Sequence, residues 1–138
     1  MKEIRYPVQV RFSETAGGVV HHAHYHTWFD LAQSELLHTI GHSVKEMLER
    51  GLRFMPIQVE CRYLAPAYFE DPLVVILRIK DISGLKTVLE YEIINQETGR
   101  CIAVCEGTYT CMNHHFRPVQ MKKAWPEVYE KLAELAER

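Results

Sequence analysis

Between His22 and His38 the apolar residues Tyr25, Trp28, Phe29, Ala32, Leu36 and Leu37 recur at three- and four-residue steps, the spacing of one broad face of an α-helix. Trp28 and Phe29, adjacent on that face, call for deep burial, and Gly41 supplies the stop. From Leu52 to Asn113 the chain then reads as extended segments separated by turn signals. Ile57, Val59 and Cys61 alternate with polar neighbours, and Pro66 marks a bend. Residues 73–82 are rich in β-branched side chains, Ser83-Gly84 makes a tight turn, and Thr87 to Ile94 forms the next strand. The NQETG turn at 95–99 leads to a last long strand over 101–112. Ahead of the helix, Val8, Val10 and Phe12 share one parity in a strand over 4–12, which Gly17-Gly18 breaks. Ser43 can cap a short second helix, with Glu46 completing a capping box. Residues 124–138 form an amphipathic terminal helix carrying Val128, Leu132 and Leu135 on one side. One apolar helix followed by consecutive strands specifies an α+β domain, a single unit over 1–138, with the helix laid against an antiparallel sheet.

The 138 residues carry a net charge of -2 without a basic block, so no nucleic-acid footprint is visible. No apolar run approaches the ~18 residues of a membrane span, and the N-terminal MKEIRYPVQV lacks the apolar stretch of a signal peptide. Cys61, Cys101, Cys105 and Cys111 have no CxxC spacing and read as reduced, partly buried thiols of a cytoplasmic protein. A helix apolar over so much of its circumference, and a sheet with a free edge, both need partners. A homodimer joining two sheets edge to edge is the economical solution.

The residues FSETAGGVVHHAHYHTWF at 12–29 carry the chemistry-bearing side chains. Together with IQVECRYLAPAYFEDPLVV, the SGLKTVLEYEI hairpin and the closing GTYTCMN, in this order, the chain resembles the hotdog-fold acyl-CoA thioesterases. The branch is the 4-hydroxybenzoyl-CoA thioesterase-like one, which also holds the small thioesterases associated with the Tol-Pal system. The resemblance implies a long central helix wrapped by an antiparallel β-sheet, here with a C-terminal helix. It also implies dimers paired into homotetramers, and hydrolysis of acyl-CoA or acyl carrier protein thioesters without a cofactor.

A thioester carbonyl must be polarised, and a free helix N-terminus offers unpaired N–H groups for that. By resemblance the polarising amide belongs to His22. A carboxylate must then attack or activate water, and here the chain departs from the family: where relatives carry ETD, this chain reads ETAGGVV, and the usual Asp is absent. Three replacements stand open: Glu14, which reaches one methylene further than Asp; Asp30, two helical turns beyond His22; or the amide with a positioned water. A non-catalytic acyl-CoA-binding or scaffold protein is the alternative function. Thr15 and Gly18 at the turn are candidate substrate contacts. Tyr25 reads either as acyl-pocket wall or as core, and Lys86 with Thr87 either as a site for the CoA phosphates or as a solvated turn. His22 and His26 share a helix face as metal-binding pairs do, yet a metal needs further ligands, and no metal is expected.

Overall fold

The computed structural model describes residues 2–136. Strand β1 (Glu3–Gln9) leads through a short 3-10 turn at Phe12–Glu14 to a small hairpin, β2 (Thr15–Ala16) and β3 (Val19–Val20). Helices α1 (Ala23–Thr39) and α2 (Val44–Glu49) follow, then β4 (Arg53–Tyr63), β5 (Pro72–Ser83), β6 (Lys86–Asn95) and β7 (Cys101–Met112). A helical turn α3 (Met121–Ala124) and helix α4 (Pro126–Ala136) close the described chain. The five long strands form one antiparallel sheet in the order β1-β5-β6-β7-β4.

All six apolar positions of α1 named above are buried, with Trp28, Phe29 and Ala32 no more than 2% exposed. Removing one such large side chain from water is worth roughly 1.5–3 kcal/mol, so the stripe holds the helix on the sheet. Phe29 stacks on Tyr91 of β6 with ring centroids 4.2 Å apart. One sheet thus covers the apolar stripe more fully than its breadth suggests, and Leu31 alone of the large apolar residues of α1 stays exposed. The free edge is a different matter. Strand β4 pairs with β7 on one side, has no neighbour on the other among the described residues, and leaves Ile57 and Tyr63 about half exposed. Such a row of unpaired N–H and C=O groups invites another strand.

Four expectations from the sequence are corrected here. The first strand ends at Gln9, and Phe12 lies on the 3-10 turn, exposed and edge-on to Phe69. Ser43 Oγ accepts from the Glu46 N–H (3.1 Å), whereas the Glu46 side chain turns to His42 Nδ1 (2.8 Å). The terminal helix is broken at Trp125, because Pro126 has no N–H to continue a helix and starts one instead; residues 137–138 lie outside the described ones. Finally, Cys61 and Cys105 are joined by a disulfide rather than reduced. Their register pairs them directly across β4 and β7, and pairing at a sequence separation of 44 leaves no short-range spacing signal.

Candidate active site

The approach to α1 is built by a hairpin and one carboxylate. Gly17 (φ 65°) and Gly18 (φ 91°) occupy the left-handed region that a side chain resists, and so fold β3 back on β2 within two residues. Thr15 tightens this turn: its Oγ1 donates to the Phe12 carbonyl (2.7 Å) and accepts from the Gly18 N–H (3.3 Å). Glu14 clamps the turn to the helix. Its Oε1 accepts from the Arg11 N–H (2.8 Å), its Oε2 from Trp28 Nε1–H (3.1 Å), and its backbone carbonyl from the His21 N–H (3.0 Å).

That clamp aims the first turn of α1. The Ala23 N–H meets His21 Nδ1 at 3.3 Å and the His24 N–H meets the His21 carbonyl at 3.0 Å. Among the described residues the His22 N–H has no hydrogen-bond acceptor, and His22 offers no side-chain cap. His22 lines a cleft of about 650 Å³ together with Ala16, Val19, Tyr25, Tyr63 and Leu64, among others. Tyr25 stacks on Tyr63 (5.7 Å) and touches Trp28 (5.4 Å), while the His22 ring meets Tyr63 edge-on at 5.9 Å. Burial, and after it the neighbouring Tyr63, pushes the Tyr25 phenol above its ordinary value. Glu14, Thr15, Gly18, His22 and Tyr25 therefore gather around one helix end.

Asp30 belongs to a second cluster. It sits two turns further along α1, roughly 12 Å from His22 at the helical rise. Its side chain is accessible in the single chain, yet the surrounding protein raises its pKa above the usual aspartate value, against a lowering from His26. Beside it Gln33 Nε2 donates to the Tyr91 hydroxyl (2.6 Å), which bonds the Tyr109 hydroxyl (2.8 Å). Burial foremost, with the charge of Asp30 adding to it, raises both phenols. The Tyr109 ring lies over Gly107, where an added Cβ would stand 2.6 Å from a ring carbon. Gln33, Tyr91 and Tyr109 escaped the reading of the sequence. The available signal was a pair of tyrosines at inward positions of adjacent strands, since a buried phenol needs a partner for its hydroxyl.

The single chain does not bring Lys86 and Thr87 to the cleft. Thr87 is buried, and both lie at the start of β6, roughly 20 Å along the strand from Ile93 beside the cleft level. His22 and His26 gain no third ligand: among the described residues no three His, Cys, Asp or Glu side chains are placed to hold a metal ion.

Residues 17–102, well over half of the chain, match the family described as the thioesterase superfamily. The chain belongs to that superfamily. YneP of Bacillus subtilis (strain 168) is 30% identical to this thioesterase over 129 residues, 90% of this chain and 93% of that protein. The acyl-CoA thioester hydrolase YbgC of Escherichia coli O157:H7 is 32% identical over 94 residues, 67% and 70% of the two chains. The fold matches a Staphylococcus aureus DHNA-CoA thioesterase with a TM-score of 0.93 at 22% identity, over 99% of this chain and 93% of that one. This thioesterase therefore has the hotdog fold, and it is a thioester hydrolase.

Proposed function

We propose that the thioesterase hydrolyses acyl-CoA at a site shared between two copies of the chain, the cleft coming from one and Asp30 from the other. The observation that carries the reading is the unpaired N–H of His22, a residue that lines the cleft at the start of a 17-residue helix. The thioester oxygen sits on this N–H, where the positive end of the helix dipole favours the charge that develops. Glu14 spends both carboxylate oxygens on Arg11 and Trp28, so its task is to hold the turn. Asp30 spends neither on a hydrogen bond among the described residues, and its raised pKa suits a base.

Asp30 takes a proton from water, and the oxygen of that water attacks the carbonyl carbon. The tetrahedral oxyanion stays on the His22 N–H until the C–S bond breaks, and the proton on Asp30 returns to the departing CoA thiolate. The roughly 12 Å between His22 and Asp30 in one chain is too long for these steps. A second copy removes that gap. Pairing two β4 edges about a two-fold axis sets the two α1 helices antiparallel, so the middle of one faces the start of the other. The same pairing brings the 83–86 turn of one sheet level with the cleft of the other, where Lys86 meets the CoA phosphates. Homodimers pair further into a homotetramer, and a cytoplasmic setting suits an acyl-CoA substrate. Tyr25 and Tyr63 flank the acyl group, with Thr15 and Gly18 shaping the turn beneath it.

Thiol release from short, long and aromatic acyl-CoAs, read beside CoA binding, tests the function. Turnover on at least one class is expected. Binding with no turnover on any of them would leave an acyl-CoA-binding protein on this fold.

A further inference from the structure

We propose that the turn over 113–117, together with Arg53, binds the phosphorylated adenosine of a CoA thioester whose acyl group lies in the cleft of the partner copy. Phe116 singles out this turn. Its φ of 58° lies in the left-handed region, where glycine fits without cost and a bulky side chain does not. The ring gains little burial in return, being 58% exposed. Nor is the turn loose. Asn113 Oδ1 accepts from the N–H groups of His115 (2.9 Å) and Arg117 (3.2 Å). The Asn113 N–H reaches the Arg117 carbonyl (3.0 Å), and the Phe116 N–H reaches the Asn113 carbonyl (2.9 Å). A strained residue held this firmly points to a task for its side chain, and an exposed ring on a braced turn offers a face to a second flat group.

The charges at this end of the sheet identify the ligand class. The Arg53 guanidinium stands 5.3 Å from the centroid of the Phe116 ring. Arg53 opens β4 opposite Met112, the last residue of β7, and Lys86 opens β6 on the other side of β7. Neighbouring strands are about 4.8 Å apart, so Arg53, the turn and Lys86 line one end of the sheet. Among the described residues Arg53, Lys86 and Arg117 have no carboxylate partner. Cations without acids suit an anion, a guanidinium fits phosphate oxygens, and an aromatic face takes a purine. The nucleotide portion of CoA combines both demands.

Its placement follows from the pairing of two β4 edges. Along its own strand Arg53 is roughly 30 Å from Tyr63. In an antiparallel pair the Arg53 end of one copy runs beside the Tyr63 end of the other. Because β4 is the pairing strand, Arg53 and the turn after β7 lie nearer to the partner's cleft than Lys86, which is two strands away.

The link to turnover rests on the acyl-CoA reading of the cleft, so a binding readout accompanies it. Calorimetry measures binding of adenosine bisphosphate, which carries the base, the ribose and one phosphate on either side of the sugar. KM is compared for an acyl-CoA and for the same acyl group on pantetheine, which lacks the nucleotide. The parent is expected to bind the bisphosphate and to show a KM about tenfold lower for the acyl-CoA. Phe116→Gly suits the left-handed backbone and should melt at about the parent temperature. It should nevertheless weaken bisphosphate binding about tenfold, the scale of one lost base-stacking contact. It should also raise KM for the acyl-CoA and leave the acyl-pantetheine unchanged. Arg53→Gln should do the same. A parent that does not bind the bisphosphate, variants that bind it as the parent does, or equal KM values for the two thioesters would overturn the proposal. So would a Phe116→Gly chain that no longer pairs, since the ring would then belong to an interface. If neither thioester is turned over, the acyl-CoA reading fails, while bisphosphate binding still decides the nucleotide site.

Discussion

The two halves of the proposed site are built from opposite materials. At the start of α1 nearly everything is backbone: a hairpin with two left-handed glycines, carbonyl and carboxylate clamps, and an amide with no partner. Around Asp30 nearly everything is side chain: a carboxyl, an amide and two stacked or bonded phenols held between helix and sheet. The first region can stabilise an oxyanion but has no free carboxylate. The second has a free carboxylate but no helix end. On the proposed reading neither region suffices alone for thioester hydrolysis, and the difference between them is that one would polarise the carbonyl and the other would transfer the proton, so that pairing of two copies is needed to join them.

The sharpest way to break the comparison is at Asp30. In Asp30→Asn, kcat is expected to fall about 10²–10⁴-fold, the usual worth of a general base, with KM within a few-fold. In the parent enzyme, the acid limb of kcat/KM is expected to inflect above the ordinary aspartate value, because burial raises the pKa and only the ionised form accepts a proton. Activity therefore rises with pH through that raised value. A limb at or below the ordinary value would detach Asp30 from the chemistry.

The amide side is tested at Gly18→Val. No atom crowds that position, so the cost is backbone strain at φ 91°, of order 1–3 kcal/mol. The amide is then misaimed, and kcat/KM should drop by about tenfold or more. Gly107→Ala probes the other region, since the new Cβ must push aside the Tyr109 ring. A stability loss of about 1–3 kcal/mol is expected, read by thermal unfolding, with a smaller loss of kcat. The smallest effect belongs to Glu14→Gln, which keeps one acceptor oxygen for the turn. Roughly 1 kcal/mol of stability and less than about threefold in kcat should be lost. A collapse of turnover there would make Glu14 the base.

Much of this was legible in the chain. The strand over Cys101–Met112 and the helix over Ala23–Thr39 follow from period and stop signals, and Gly17-Gly18 announces the turn. Local chemistry of that kind is written in neighbouring residues. The Cys61–Cys105 bond and the Gln33–Tyr91–Tyr109 network were not legible, because each depends on register between strands distant in sequence. The roles of Glu14 and Phe12 turned on a single 3-10 turn, which no periodicity marks.

The measurement that bears most directly on a shared site is complementation. Asp30→Asn and Gly18→Val chains, each folded and impaired alone, are co-expressed and the randomly paired mixture is assayed for thiol release from acyl-CoA. With cleft and carboxylate drawn from different copies, each mixed dimer regains one intact site, and random pairing restores about a quarter of the parent activity. If mixing restores nothing beyond the average of the two variants, cleft and carboxylate act within one chain and the shared site is wrong.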